Sequence, residues 1–147
     1  MSHIVKIAIE IKDLDALAAA ARALGLELMR GQRTYKHYGA DEEQTALPEG
    51  FTQKDLGQCD HALRIIGEPH DYDCEIGIAK RRDGRPGFVL LADMFSMGRL
   101  PEYVGANAER LKQNYSSEVA KRTLQKQGYR VTSSTKPDGR IVLNATR

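Results

Sequence analysis

The last third of the chain constrains the fold most. Val104, Ala108, Leu111, Tyr115 and Val119 recur every three or four residues behind Pro101; Ala120 and Leu124 follow, and Gly128 closes the run. Proline suits a first helical turn and glycine a stop, so the spacing predicts a single helix of about two dozen residues over 101–127. Directly after it Tyr129, Val131 and Ser133 alternate, Lys136-Pro137-Asp138-Gly139 turns, and Ile141, Leu143 and Ala145 return. That is the pattern of a β-hairpin. A long amphipathic helix feeding a hairpin excludes all-α and all-β architectures together.

The front of the chain repeats the mixture. Residues 4–11 alternate, with Ile7, Ile9 and Ile11 on one face of a predicted strand. Asp13 stands where an N-cap belongs, ahead of Leu14, Leu17, Ala18, Ala21 and Leu24 at helical spacing, and Gly25 ends the run. Residues 33–38 have strand character. Runs at 61–66 and 72–80 read as a hairpin with a longer loop, and 88–92 as a buried apolar strand after the turn at 82–87. Between them 39–58 breaks the pattern with Asp41, Glu42 and Glu43, and a short helical turn is expected near 52–56. The expectation is an α+β fold in a single domain spanning 1–147. It has one antiparallel-rich sheet, two helices packed on one face, and a long acidic insertion at 39–58.

Composition limits the partners. The chain carries 22 Lys plus Arg against 20 Asp plus Glu, net +2, which excludes a uniformly basic surface. That balance is a cancellation: residues 1–98 hold 12 basic and 16 acidic residues, residues 99–147 hold 10 and 4. No stretch approaches the roughly 20 apolar residues of a membrane span, so no membrane partner is expected. The N-terminus lacks the blocks of a secretory signal, which predicts a cytoplasmic protein with Cys59 and Cys74 as thiols.

The ends of the chain carry a resemblance. The opening Met1-Ser2-His3-Ile4-Val5 with Ile7, and Lys12-Asp13-Leu14-Asp15-Ala16-Leu17, resemble the hypothetical chloroplast reading frame thirty-five family. So do Asn114-Tyr115, Glu118-Val119-Ala120-Lys121, Gln127-Gly128-Tyr129-Arg130-Val131 and Asp138-Gly139-Arg140-Ile141-Val142-Leu143. The family has cyanobacterial, plastid, bacterial and phage members. It implies the scaffold, not a chemistry. It also implies an accessory role beside ATPases of the AAA type, or a phage protein that binds a host defence complex.

Candidate chemistry is sparse. Cys59, His61, His70 and Cys74 have the side chains zinc prefers, but Cys59 and His61 on one strand stand about 7 Å apart by strand rise, wide for one ion. Neither cysteine precedes a helix N-terminus that would activate it, and Ser116-Ser117 falls inside the long helix. Asp71, Asp73, Glu75 and Asp93 are the carboxylates a hydrolase would pair, with Asp71 and Asp73 placed as turn residues. The glycine-rich stretch 82–87 joins strands, so it lacks the helix end that grips phosphate. No catalytic residue, metal ligand or cofactor is assigned.

The basic residues are the remaining signal. Arg110, Lys112, Lys121, Arg122 and Lys126 fall on the predicted long helix, with Arg99 just before it. They predict a non-enzymatic binding or adaptor protein that docks on a protein partner through complementary charge. The alternative is a nucleic-acid binder using the same helix, with Tyr35, Tyr38 and Tyr72 available for stacking. A further alternative is an enzyme or zinc protein built on the cysteine and histidine set.

Overall fold

A computed structural model describes residues 4–37, 47–93 and 98–147. Tyr38, the acidic run at 41–43 and the opening three residues lie outside that set. Strand β1 (Ile4–Ile11) leads into α1 (Leu14–Arg22). Asp13 caps the helix, its Oδ1 accepting from the Ala16 amide at 3.0 Å. Ala16, Leu17, Ala20 and Ala21 form its buried face. Because alanine projects so little, α1 approaches its neighbours closely.

Gly25, at φ +89, reverses the chain into β2 (Leu26–Arg30), a strand the sequence reading passed over. The strands β3 (His61–Ile65), β4 (Ile76–Lys80) and β5 (Phe88–Asp93) follow. These five strands form one sheet in the order β1-β5-β4-β3-β2, antiparallel at every step. The α+β class therefore holds.

Period-two alternation sorts the sheet into two buried faces. Leu63, Ile65, Ile76, Ile78, Leu90 and Ala92 point one way, into a core closed by the helices. Ala62, Ala79, Val89 and Leu91 point the other way, beneath Tyr35 and Phe51. Among the described residues of the expected strand at 33–38 only a single bridge forms, joining Thr34 to Gln58. It is held by Tyr35 N–H to Gly57 O and Cys59 N–H to Arg33 O, both at 2.9 Å. Part of the region read as an insertion is thus a lid on the second face. The turn expected near 52–56 is a 3-10 turn at Gln53–Asp55.

The predicted long helix is two helices, α2 (Leu100–Val104) and α3 (Glu109–Lys126). Gly105 at φ 83, Asn107 at φ 52 and Ala108 at φ 58 break it. Residues with side chains rarely adopt φ above zero, so packing dictates this bend. Across the bend Leu100, Val104, Ala108 and Leu111 all lie in the same core.

Tyr115 ties α3 to the front of α1. Its hydroxyl accepts from the amides of Lys12 and Asp13 at 3.0 and 3.2 Å. Tyr115→Phe leaves two partly buried amides without that acceptor, and a loss of about 1 kcal/mol is expected in urea unfolding.

The chain ends in β6 (Arg130–Thr135) and β7 (Ile141–Thr146), paired in full register from Arg130–Thr146 to Thr135–Ile141. This hairpin is a separate two-stranded ribbon, not part of the five-stranded sheet. Its turn is held to α3, where Gln113 Nε2 donates to Gly139 O at 2.9 Å.

Candidate functional site

The groups singled out for metal and nucleophile chemistry are dispersed and quiet. Among the described residues no three of His, Cys, Asp and Glu gather as a metal site. Cys59 donates to Gln32 O at 3.2 Å, and burial pushes its thiol up to about 11. Cys74 lies in the main core, where burial pushes its thiol up to about 12. Both are therefore protonated at neutral pH and poor nucleophiles. His61 Nδ1 accepts from the Gly31 amide at 2.9 Å, which fixes the neutral ring, and burial lowers its basicity further. His70 is exposed in the loop between β3 and β4.

Two of the acidic candidates, Asp73 and Glu75, have structural work. Asp73 takes a bidentate contact from Arg99, Nε to Oδ1 at 3.0 Å and Nη2 to Oδ2 at 2.5 Å. The guanidinium holds this carboxyl at about 2, below its ordinary range. Glu75 Oε1 accepts from the Lys36 amide at 2.8 Å. Asp71 is exposed, and Asp93 is fully buried at the end of β5. Of the tyrosines considered for stacking, Tyr35 is 3% exposed with its ring over Gly77, so it offers no platform; Tyr72 is exposed.

Two concavities were candidates for a small ligand. A cleft of about 420 Å³ brings together Arg33, Arg81 and Arg82, but each is already paired, with Asp60, Asp83 and Asp55. A larger groove of about 720 Å³ runs between α1, α3 and the ribbon, floored by Ala19, Ala20 and Ala23. Its rim mixes Glu109, Glu118 and Asp138 with Arg110 and Arg140, so it has no charge preference.

The predicted docking residues do not form one helix face. Arg99 is committed to Asp73 and belongs to the scaffold. Arg110 donates to Glu102 O at 2.9 Å, and Arg122 pairs with Glu118 one turn before it at 3.1 Å. Lys121 follows Arg110 by 11 residues, close to three turns, and so shares its side of α3. Arg122 and Lys126 instead continue the stripe of Leu111, Tyr115 and Val119. Lys112 is half-buried on the flank of that stripe.

What the structure adds is the ribbon. Leu111 and Tyr115 are the buried residues of α3, and nothing from 116 to 147 is buried. This arm, the second half of α3 with β6 and β7, carries seven basic residues and two acidic ones. Its ion pairs are Arg122–Glu118 and Arg140–Asp138. Among the described residues Lys121, Lys126, Arg130 and Lys136 take part in none, and Arg147 lies over the Tyr129 ring at 4.5 Å. The excess of charge after residue 99 was legible, but reading it onto the helix alone missed Arg130, Lys136, Arg140 and Arg147. Comparison with protein-family models, curated proteins and solved structures finds no match, so the functional argument rests on this arrangement.

Proposed function

We propose that this is a non-enzymatic cytoplasmic binding protein that takes an anionic macromolecular partner on its C-terminal arm. One observation carries the reading: across 32 consecutive residues, 116–147, half a helix and a two-stranded ribbon form without burying a single residue, and their charge is strongly one-sided. Elements that lend so little surface to the core keep their charged side chains open to a partner. The five-stranded sheet and its helices then serve as the platform that presents the arm. Among the described residues no helix is long and apolar enough to cross a membrane.

The resemblance to the chloroplast reading frame thirty-five family offers two protein partners for this proposal, an AAA-type ATPase or a host defence complex. An acidic patch on either would meet the arm, with charge speeding encounter and setting orientation.

Affinity capture from cell extract tests the reading. Lys121→Glu with Lys126→Glu is expected to abolish captured partners, whereas the same charge change at Lys54 and Lys80 leaves them in place. Both pairs are exposed or half-buried lysines that pair with no carboxylate among the described residues, and a thermal melt checks that each variant folds. Identical partners from both variants would sink the proposal. Nuclease treatment of the extract sorts protein partners from nucleic acid.

A further inference from the structure

We infer that the outer face of the β6–β7 ribbon seats in the major groove of duplex DNA, an inference that rests on the arm being the binding element. The ribbon has two unlike faces. Val131, Leu143 and Ile141 are half-buried on the side turned to α3, and Ser133, Thr135 and Ile141 line the groove there. The opposite side presents Arg130, Thr132, Ser134, Val142, Asn144 and Thr146, all exposed except the half-buried valine. Every other side chain on that outer face bears a hydrogen-bonding group.

This face suits DNA better than a protein. Protein interfaces centre on aromatic or large apolar anchors and are depleted in lysine. The outer face offers one valine. Protein–DNA interfaces are more polar and far more positive, and their base contacts use arginine, asparagine, serine and threonine.

Dimensions agree. Two strands lie about 4.8 Å apart, and a major groove about 12 Å wide admits such a ribbon. Six residues per strand span about 20 Å, enough to reach both phosphate walls. The cations sit at the ends: Lys136 and Arg140 at the turn, Lys126, Arg130 and Arg147 at the open end. Uncharged Thr132, Ser134 and Asn144 lie between them. The ribbon is also pre-formed, with its turn bonded to Gln113 and its open end closed by Arg147 on Tyr129. Binding therefore orders little that is not already ordered.

The test is fluorescence anisotropy with the full chain and a labelled random-sequence DNA duplex, titrated from about 50 to 200 mM salt. Wild type is expected to bind with a log–log salt slope near −4, about four phosphates neutralised. Arg130→Gln with Lys136→Gln reduces that slope by about 2. Thr132→Ala with Asn144→Ala weakens binding severalfold at an unchanged slope, because uncharged side chains release no counterions. All four positions are exposed, and a thermal melt confirms that each variant folds. Three results overturn the inference: no binding at low salt, tighter binding to single strands, or equal binding to polyglutamate. If the duplex fails while extract capture still depends on Lys121 and Lys126, the groove reading falls and the binding-protein reading stands.

Discussion

Gly77→Ala is expected to destabilise the protein by about 3 kcal/mol, read as a lower urea midpoint at unchanged slope. Gly77 sits in β4, the middle strand of the five, and its missing side chain is occupied by Tyr35. A methyl group there would lie 2.3 Å from Cδ1 of that ring, 2.6 Å from Cε1 and 2.9 Å from Cγ. Such a contact is not relieved by a small adjustment, because the ring is itself 3% exposed and packed into the second core. The ring must leave, and with it the cover over Ala62, Ala79 and Leu91. A double-mutant cycle with Tyr35→Ala isolates the clash. The double variant should cost less than the two single changes added, since the methyl then enters vacated space. Strict additivity would mean that Gly77 is needed for some reason other than the ring.

The second large effect concerns the Arg99–Asp73 pair. Arg99→Gln leaves the Asp73 carboxylate, itself 7% exposed, without its charged partner, and a loss of about 3 kcal/mol at neutral pH is expected. The pair also sets an acid limit. Asp73 titrates at about 2 in the folded chain against 3.8 ordinarily, so the folded state binds fewer protons than the unfolded one in between. Its contribution, about 2 kcal/mol, is fully present above pH 4 and fades as pH falls through 2. Asp55, held down first by the Thr52 amide and then by Arg82, and Asp83, held down by Arg81, are depressed in the same direction and steepen the same limb. Unfolding midpoints at pH 6 and pH 3 check the sign. Wild type should lose more stability over that interval than Arg99→Gln, in which the Asp73 contribution is already gone. Equal losses would show that the ion pair does not govern acid sensitivity.

The two ends of the chain were the most legible. Asp13 before an alanine-rich amphipathic run and Lys136-Pro137-Asp138-Gly139 between alternating strands are local signals, and the structure uses both as written. Strand β2 was harder, because Leu26-Glu27-Leu28-Met29-Arg30 has only weak alternation and little β-branching. The break between α2 and α3 has one local signal, Gly105, which costs a helix only about 1 kcal/mol and does not by itself stop it. Ala106, Asn107, Ala108 and Glu109 pose no strong obstacle, and the left-handed backbone at Asn107 and Ala108 follows from where the core lies. The Arg99–Asp73 pair is hidden for a similar reason. Arg99 stands 26 positions from Asp73, so no spacing rule joins them, and only the fold brings them together. The ribbon's independence is also tertiary information. Its alternation says hairpin, but whether it extends a larger sheet depends on which edge it meets.

The strand order has a consequence for synthesis. β1 is complete once residue 11 has been made, yet it lies at an edge of the sheet and its partner there, β5, ends at Asp93. At about 5–20 residues per second, the ribosome takes roughly 4–16 s to supply that partner. Through that interval Ile4-Val5-Lys6-Ile7-Ala8-Ile9-Glu10-Ile11 emerges as a β-prone segment with nothing to pair against. The arm is made under the opposite condition. Helix α3 and the ribbon contact one another within about forty residues, so the arm closes by short-range contacts. The hazard in making this fold therefore lies at β1, and co-translational chaperone contact is expected to concentrate there.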